Sequence, residues 1–305
     1  MNRLVVGTRG SLLARWQAAF VANALRSVHS DLVVDEKIIV TEGDRLSSGP
    51  LWNAGGKGLW VKEIEASLLA GEIDLAVHSM KDVPGELAAG LALAAVPLRA
   101  DVRDAVVSRS GQGLDGLPKS ARIGTTSLRR ACQLKAIRPD FEIEILRGNL
   151  DTRLRKVADG IVDAAILACA GLDRLGFGQR ITERLTIERM LPAVGQGALA
   201  IETRSDDERV RRLASVLEDA GTALAIAAER AYLARLGATC RTPVAGYASL
   251  IDGQVVMRGL VGRPDGSEII ADRVSGKPSD AVELGLQLAD ALLARGAGPM
   301  LADCV

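Results

Sequence analysis

Apolar positions along the chain alternate between two rhythms. Short continuous apolar runs end in turn residues, and helical spacing of apolar positions follows, which predicts strands each succeeded by a helix. The first such unit is a strand at 3–7, the turn Thr8-Arg9-Gly10-Ser11 with Ser11 as helix N-cap, and a helix at 12–25. A strand at 32–40 comes next, then a Gly-, Ser-, Asn- and Pro-rich loop at 42–58. A helix at 61–70 and a buried strand at 73–78 complete this stretch. The pattern restarts at 104–108, a strand, and continues with a strand at 122–125 and a helix at 128–137. A strand at 142–146, a helix at 151–158 and a strand at 163–168 follow.

Two internal echoes recur in the same order. Gly7-Thr8-Arg9-Gly10-Ser11-Leu12 is echoed by Gly124-Thr125-Thr126-Ser127-Leu128. Gly71-Glu72-Ile73-Asp74-Leu75-Ala76-Val77 is echoed by Gly160-Ile161-Val162-Asp163-Ala164-Ala165-Ile166. Together they predict two similar α/β domains in tandem, with parallel sheets flanked by helices. The last third reads differently: a helix at 223–236, an antiparallel meander over 246–274 and an amphipathic helix at 281–295. That is a small α+β domain with a three-stranded antiparallel sheet.

Composition narrows the function classes. The chain has 305 residues, 38 basic against 38 acidic, and a 48% hydrophobic share. Zero net charge argues against a generic nucleic-acid binder. No apolar run reaches the roughly 20 residues of a membrane span. The N-terminus lacks the long apolar stretch of a signal peptide, so a cytoplasmic protein with reduced thiols is expected. Neither histidine forms a spaced metal site with the cysteines, and no metal is expected. Gly55-Gly56-Lys57-Gly58 lacks the spacing of a phosphate-binding loop.

Of the 38 basic residues, 30 are Arg. A GC-rich genome accounts for part of that bias, but placement adds to it. Arg9, Arg129, Arg130, Arg147, Arg153 and Arg174 all fall at strand ends or at the helices behind them, where ligands bind in α/β sheets. Cations near a helix start oppose its dipole, so an anionic ligand is indicated, with surface pairing to nearby acids as the alternative. Ser11, Thr125, Thr126 and Ser127 would add hydroxyl donors. Lys81 and Asp82 sit where another strand ends. Asp82 is either half of a salt-bridged pair or a carboxylate that stabilises developing positive charge. Cys132 and Cys169 read as core thiols, Cys304 as incidental, His29 as a surface residue and His78 as strand interior. Cys240 lies in a loop beside Arg241 and is either an ordinary or a reactive thiol.

Seven collinear segments resemble hydroxymethylbilane synthase, also called porphobilinogen deaminase. They are Thr8-Arg9-Gly10-Ser11, Gly55-Gly56-Lys57-Gly58, the stretch from Ala76 through His78-Ser79-Met80-Lys81-Asp82-Val83-Pro84, and Gly124-Thr125-Thr126-Ser127-Leu128-Arg129-Arg130. Leu146-Arg147-Gly148-Asn149, Leu191-Pro192-Ala193-Val194-Gly195-Gln196-Gly197-Ala198 and Glu229-Arg230-Ala231 with Cys240 complete the set.

The resemblance implies two periplasmic-binding-protein-like lobes with the active cleft between them, and a third domain carrying the cofactor. The implied boundaries are 1–97 with 198–215, then 102–192, then 220–305. It also implies a monomer whose substrate is porphobilinogen. Four substrate units are joined head to tail with loss of ammonia, on a dipyrromethane held by a thioether to Cys240, and a linear tetrapyrrole is released by hydrolysis. Asp82 is the implied catalytic carboxylate. Ser11, Lys81, Asp82, Thr126, Ser127, Arg129, Arg130 and Arg147 are implied cofactor contacts. Arg9, Ser11, Lys57, Ser79, Arg147, Arg153 and Arg174 are implied substrate contacts. Residues 42–58 would form a loop over the cleft. The chain departs from the family at Ala238-Thr239, where Gly-Gly or Gly-Ser is usual before the cysteine. Trp60 stands where Phe is commoner and Thr126 where Ser is common. The competing expectation is a cytoplasmic two-lobed anion-binding protein without catalysis.

Overall fold

The computed structural model describes residues 3–45, 60–239 and 242–302. The chain first lays down β1 (Arg3–Thr8), α1 (Leu12–Val28), β2 (Val33–Ile38), α2 (Glu42–Arg45), α3 (Lys62–Leu69), β3 (Leu75–Ser79) and β4 (Leu91–Ala95). A second series runs β5 (Asp104–Ser108), β6 (Arg122–Gly124), α4 (Leu128–Ile137), β7 (Glu142–Glu144), α5 (Leu150–Ala158), β8 (Ala164–Ala168), α6 (Cys169–Arg174) and β9 (Glu183–Arg184). Then come β10 (Leu199–Arg204), α7 (Glu208–Ser215), α8 (Ala220–Arg235), β11 (Val244–Ile251), β12 (Gln254–Gly262), β13 (Ile269–Gly276), α9 (Ala281–Leu292) and, after a short π-helical turn, α10 (Gly298–Ala302).

These elements fall into two compact units. Residues 3–45, 60–100 and 198–223 make the first, and 101–197, 224–239 and 242–302 the second. The first unit holds a sheet of strand order β2-β1-β3-β10-β4. The second holds a sheet of order β7-β6-β8-β5-β9 and a three-stranded sheet of order β11-β12-β13. The two five-stranded sheets follow one plan: parallel strands on one side and a reversed strand inserted fourth.

The expectation of parallel sheets is therefore corrected. β10 runs antiparallel to both β3 and β4, and β5 runs antiparallel to both β8 and β9. The α/β alternation dictates parallel pairing only among strands joined by helical crossovers, as in β1 with β2 and β3. β10 reaches its place from another part of the chain and is free to enter reversed. Residues 42–45, expected as loop, form the helical turn α2, and the strand β4 lies where no element was expected. The rest of the expected 42–58 loop, from residue 46 onward, lies outside the described residues.

Each sheet is buried against helices. Leu4, Val6, Val21, Leu25, Leu75, Val77 and Ile201 form the core between the first sheet and α1. Ile123, Leu134, Phe141 and Ile166 form one core of the second sheet, and Val107, Leu154 and Leu167 another. In the three-stranded sheet, Gly246 faces Gly259 across β11 and β12. The Tyr232 ring, fully buried on α8, fills the slot they leave, because a Cβ built at Gly259 would lie 2.9 Å from the ring. The Tyr232 hydroxyl donates to the carbonyls of Ala245 (3.1 Å) and Leu260 (3.3 Å).

Candidate active site

In the first unit, the β1–α1 turn places Ser11 as the expected N-cap. Its hydroxyl accepts from the Ala14 N–H at 3.3 Å. Arg9, one residue before Gly10, forms an ion pair with Asp44 of α2 and lies over the Trp60 ring, 4.1 Å from its centroid. Arg9 is thus held as a folded, shielded cation. Ser79, at the end of β3, accepts from the Gln17 amide on α1 at 2.9 Å. The strand then turns into a single 3₁₀ turn, Met80–Asp82, tied at its start by Met80 N–H to the Ala198 carbonyl at 3.0 Å.

That turn carries Lys81 exposed and Asp82 half-buried. The Asp82 carboxylate has no hydrogen bond or ion pair among the described residues, so it is not half of a Lys81–Asp82 salt bridge. A carboxylate left open on a rigid strand end is available for a ligand's N–H groups or for a cation.

One further titratable group lies on β3. His78 Nε2 meets Glu202 Oε2 of β10 at 3.0 Å, and both side chains are buried. The second Glu202 oxygen has no partner among the described residues. Burial, and then the charge of Glu202, push the nearby Glu65 carboxyl above its ordinary value.

In the second unit, the β6–α4 turn is organised by hydroxyls. Thr125 Oγ1 accepts from Ser127 N–H at 3.1 Å, and Ser127 caps α4 through Arg130 N–H at 3.5 Å. Thr126 is half-buried, and its hydroxyl has no partner among the described residues. Arg129 and Arg130 then turn inward onto Asp104, which begins β5 and is fully buried.

Asp104 is a hub whose partners the local sequence pattern does not name. It accepts from Arg129 Nη1 (2.8 Å), Arg130 Nε (3.0 Å), Arg130 Nη2 (2.7 Å) and Gln196 Nε2 (3.1 Å). Arg129 also donates to the Leu191 carbonyl and Arg130 to the Ile166 carbonyl. Gln133 grips Leu191 through both backbone groups, at 2.7 and 3.0 Å. The 191–198 segment is therefore wrapped around this hub. Burial pushes the Asp104 carboxyl up, but Arg129 and Arg130 outweigh it and hold it far below the usual carboxylate range. Two guanidiniums against one carboxylate leave a net positive charge at the start of α4, where the helix dipole is also positive.

The remaining arginines sit nearby in sequence. Gly148 takes a φ of 114° in the turn after Arg147, a left-handed conformation suited to glycine. Arg153 Nε donates to the Gly148 carbonyl at 2.7 Å, and Lys156 to the Arg147 carbonyl at 3.1 Å. Arg174 closes α6 and donates to the Gly197 carbonyl at 2.8 Å, and burial pushes its guanidinium down to about 10. Cys132 and Cys169 are buried, as expected of core thiols, and burial pushes the Cys169 thiol up to about 11. Glu229 uses one carboxylate oxygen on Gly195 N–H (2.6 Å) and the other on Ala248 N–H (2.8 Å), stapling the 191–198 segment to β11. Lys57 and Cys240 lie outside the described residues.

Two comparisons bear on identity. The family description "Porphobilinogen deaminase, dipyromethane cofactor binding domain" matches residues 4–212, and "Porphobilinogen deaminase, C-terminal domain" matches 223–294. A porphobilinogen deaminase of Brevibacillus brevis is 48% identical over 304 residues, which covers 99% of this chain and 98% of that one. The chain belongs to the porphobilinogen deaminase family. Porphobilinogen deaminases are transferases of tetrapyrrole biosynthesis, and dipyrromethane is their cofactor. Among solved structures, a methionine-binding protein matches at TM-score 0.44, 14% identity, over 71% of this chain and 89% of that one. An arginine-specific periplasmic binding protein of Salmonella typhimurium matches at 0.41 and 14%, over 71% and 92%.

The residues fit the cofactor's chemistry. Dipyrromethane carries acetate and propionate groups, which call for cationic and hydroxyl donors. The start of α4 offers the open Thr126 hydroxyl and the net positive Asp104 hub. No described helix is long and apolar enough to cross a membrane.

Proposed function

We propose that Asp82 is the catalytic carboxylate with which this porphobilinogen deaminase joins four porphobilinogen units head to tail. The observation that carries this is the open Asp82 carboxylate at the rigid end of β3. Loss of ammonia from porphobilinogen leaves positive charge delocalised onto its pyrrole nitrogen. A fixed carboxylate beside that N–H lowers the barrier, since a preorganised group aimed at developing charge is worth about 10²–10³ in rate. Asp82 also accepts and returns protons as the leaving amine departs and the attacked ring regains aromaticity.

When bound, dipyrromethane supplies the free pyrrole carbon from which the chain is extended. Cys240 holds it through a thioether. Ser11, Lys81, Thr126, Ser127 and Arg147 would contact it, and Arg129 and Arg130, buried on Asp104, would act on it through the surplus charge of that hub. Lys57, Ser79, Arg153 and Arg174, with Ser11 and Arg147, bind the carboxylates of incoming units, and Arg9 does so only by exchanging its ion pair with Asp44. Guanidinium forks suit this work because each incoming unit adds two carboxylates. The working enzyme is a cytoplasmic monomer of three domains: 1–97 with 198–215, 102–192 and 220–305.

Intact mass tests this assignment. Wild type made with porphobilinogen available carries a two-pyrrole adduct that reacts with Ehrlich's reagent, and Cys240→Ala carries none. A bare wild-type mass overturns the cofactor attachment.

A further inference from the structure

The three-stranded sheet has two faces of different character. Val255, Met257, Val261 and Ile270 pack into the core with α8 and α9. On the other face, Leu260 and Ala245 pack against Leu191. That cover is incomplete. An open surface depression of about 410 Å³ remains, lined by Gln133, Ile187, Leu191, Leu260, Arg258 and Arg273 among others. This volume lies within the range of small-molecule sites.

Its two arginines are directly opposed. Arg258 on β12 pairs in register with Arg273 on β13. Directly opposed residues hold their Cβ atoms about 4.5–5.5 Å apart, and like charges there repel. Arg258 finds partial relief: its Nη1 donates to Glu188 Oε1 at 2.9 Å. Glu188 is 62% exposed, so this pair is held weakly. Asp272, beside Arg273, is taken by Arg295 at 3.2 Å. The Arg273 guanidinium has no hydrogen bond or ion pair among the described residues. Ile187, Leu191 and Leu260 supply an apolar wall beside this pair.

We propose that this depression binds a small planar dicarboxylate, using residues separate from those assigned to the transfer reaction. Each guanidinium offers a fork for one carboxylate, and the apolar wall takes the face of the ring. Glu188 already sets one carboxylate on Arg258 and acts as an intramolecular occupant. The ligand displaces Glu188 from Arg258 and supplies the counter-charge that Arg273 lacks.

Titration calorimetry of the full chain with phthalate, a rigid aromatic dicarboxylate, tests the site. Saturable one-to-one binding is expected, weakening as salt rises. Arg273→Gln weakens it about ten-fold or more, the effect of losing one charge-assisted pair. Glu188→Gln strengthens it about two- to five-fold by removing the competitor. Ala271→Phe fills the depression and abolishes binding, while Arg273, being exposed, can be replaced without loss of fold. Absence of saturable binding, or equal affinity in wild type, Arg273→Gln and Ala271→Phe, overturns the proposal.

Discussion

Asp104→Asn is the substitution whose consequence is best determined by the geometry. The side chain keeps its volume and one oxygen, but its charge is lost. Asp104 receives four hydrogen bonds, three of them from guanidinium groups that are themselves over nine-tenths buried. With asparagine there, Arg129 and Arg130 remain buried beside each other with no countercharge. Removing one partner from a buried ionic cluster costs about 3–5 kcal/mol. For a unit of this size that predicts a fall of roughly 6–20 °C in melting temperature. In urea it predicts a midpoint lower by about 1 M or more.

The pH dependence follows from the same hub. The folded-state carboxyl is held far below its ordinary value, so its contribution is fully present above the unfolded value of about 3.9. It is lost progressively as pH falls below that value towards the folded one. Paired urea titrations of wild type and Asp104→Asn therefore diverge at pH 7 and converge in acid. A difference under about 1 kcal/mol at pH 7, or one that is unchanged at pH 2, refutes the assignment of Asp104 as the hub's countercharge.

Asp82→Asn should lower turnover about 10²-fold or more while the circular dichroism spectrum and melting temperature stay within error of wild type; near-normal turnover would remove Asp82 from the chemistry. Gly259→Ala should cost about 1–3 kcal/mol in chemical denaturation, because the added methyl meets the Tyr232 ring at 2.9 Å, and a neutral result would mean that the ring has room to shift.

The alternation of strands and helices was legible because it is local: α4 spans Leu128–Ile137 as its spacing predicts. Ser11 was legible as a cap for the same reason, whereas the cap that Ser127 makes on α4 was read only as part of a turn. The pairing of β10 was not, since nothing in Leu199–Arg204 names its neighbours or its direction. The arginines at helix starts were visible as a breach of the usual charge preference. Their partner was hidden, because Asp104 precedes Arg129 by 25 residues and begins a run of apolar strand residues. One signal was available: an acid heading a wholly buried strand needs a countercharge. The pairing of His78 with Glu202 was likewise out of reach of any pattern along the chain, and so was the cross-strand meeting of Arg258 and Arg273.

The inserted strand β10 also sets a timetable for biosynthesis. His78 and Glu202, paired across β3 and β10, are 124 residues apart in the chain. A ribosome adding about 5–20 residues per second needs roughly 6–25 s to cover that distance. Until then β3 has an open edge where β10 will lie, β4 has no neighbour in its sheet, and the turn bearing Asp82 lacks its tie to Ala198. The nascent first unit spends those seconds with an unpaired strand edge, the kind of surface that chaperones cover and other chains can join. A truncation anywhere before residue 199 would make that exposure permanent.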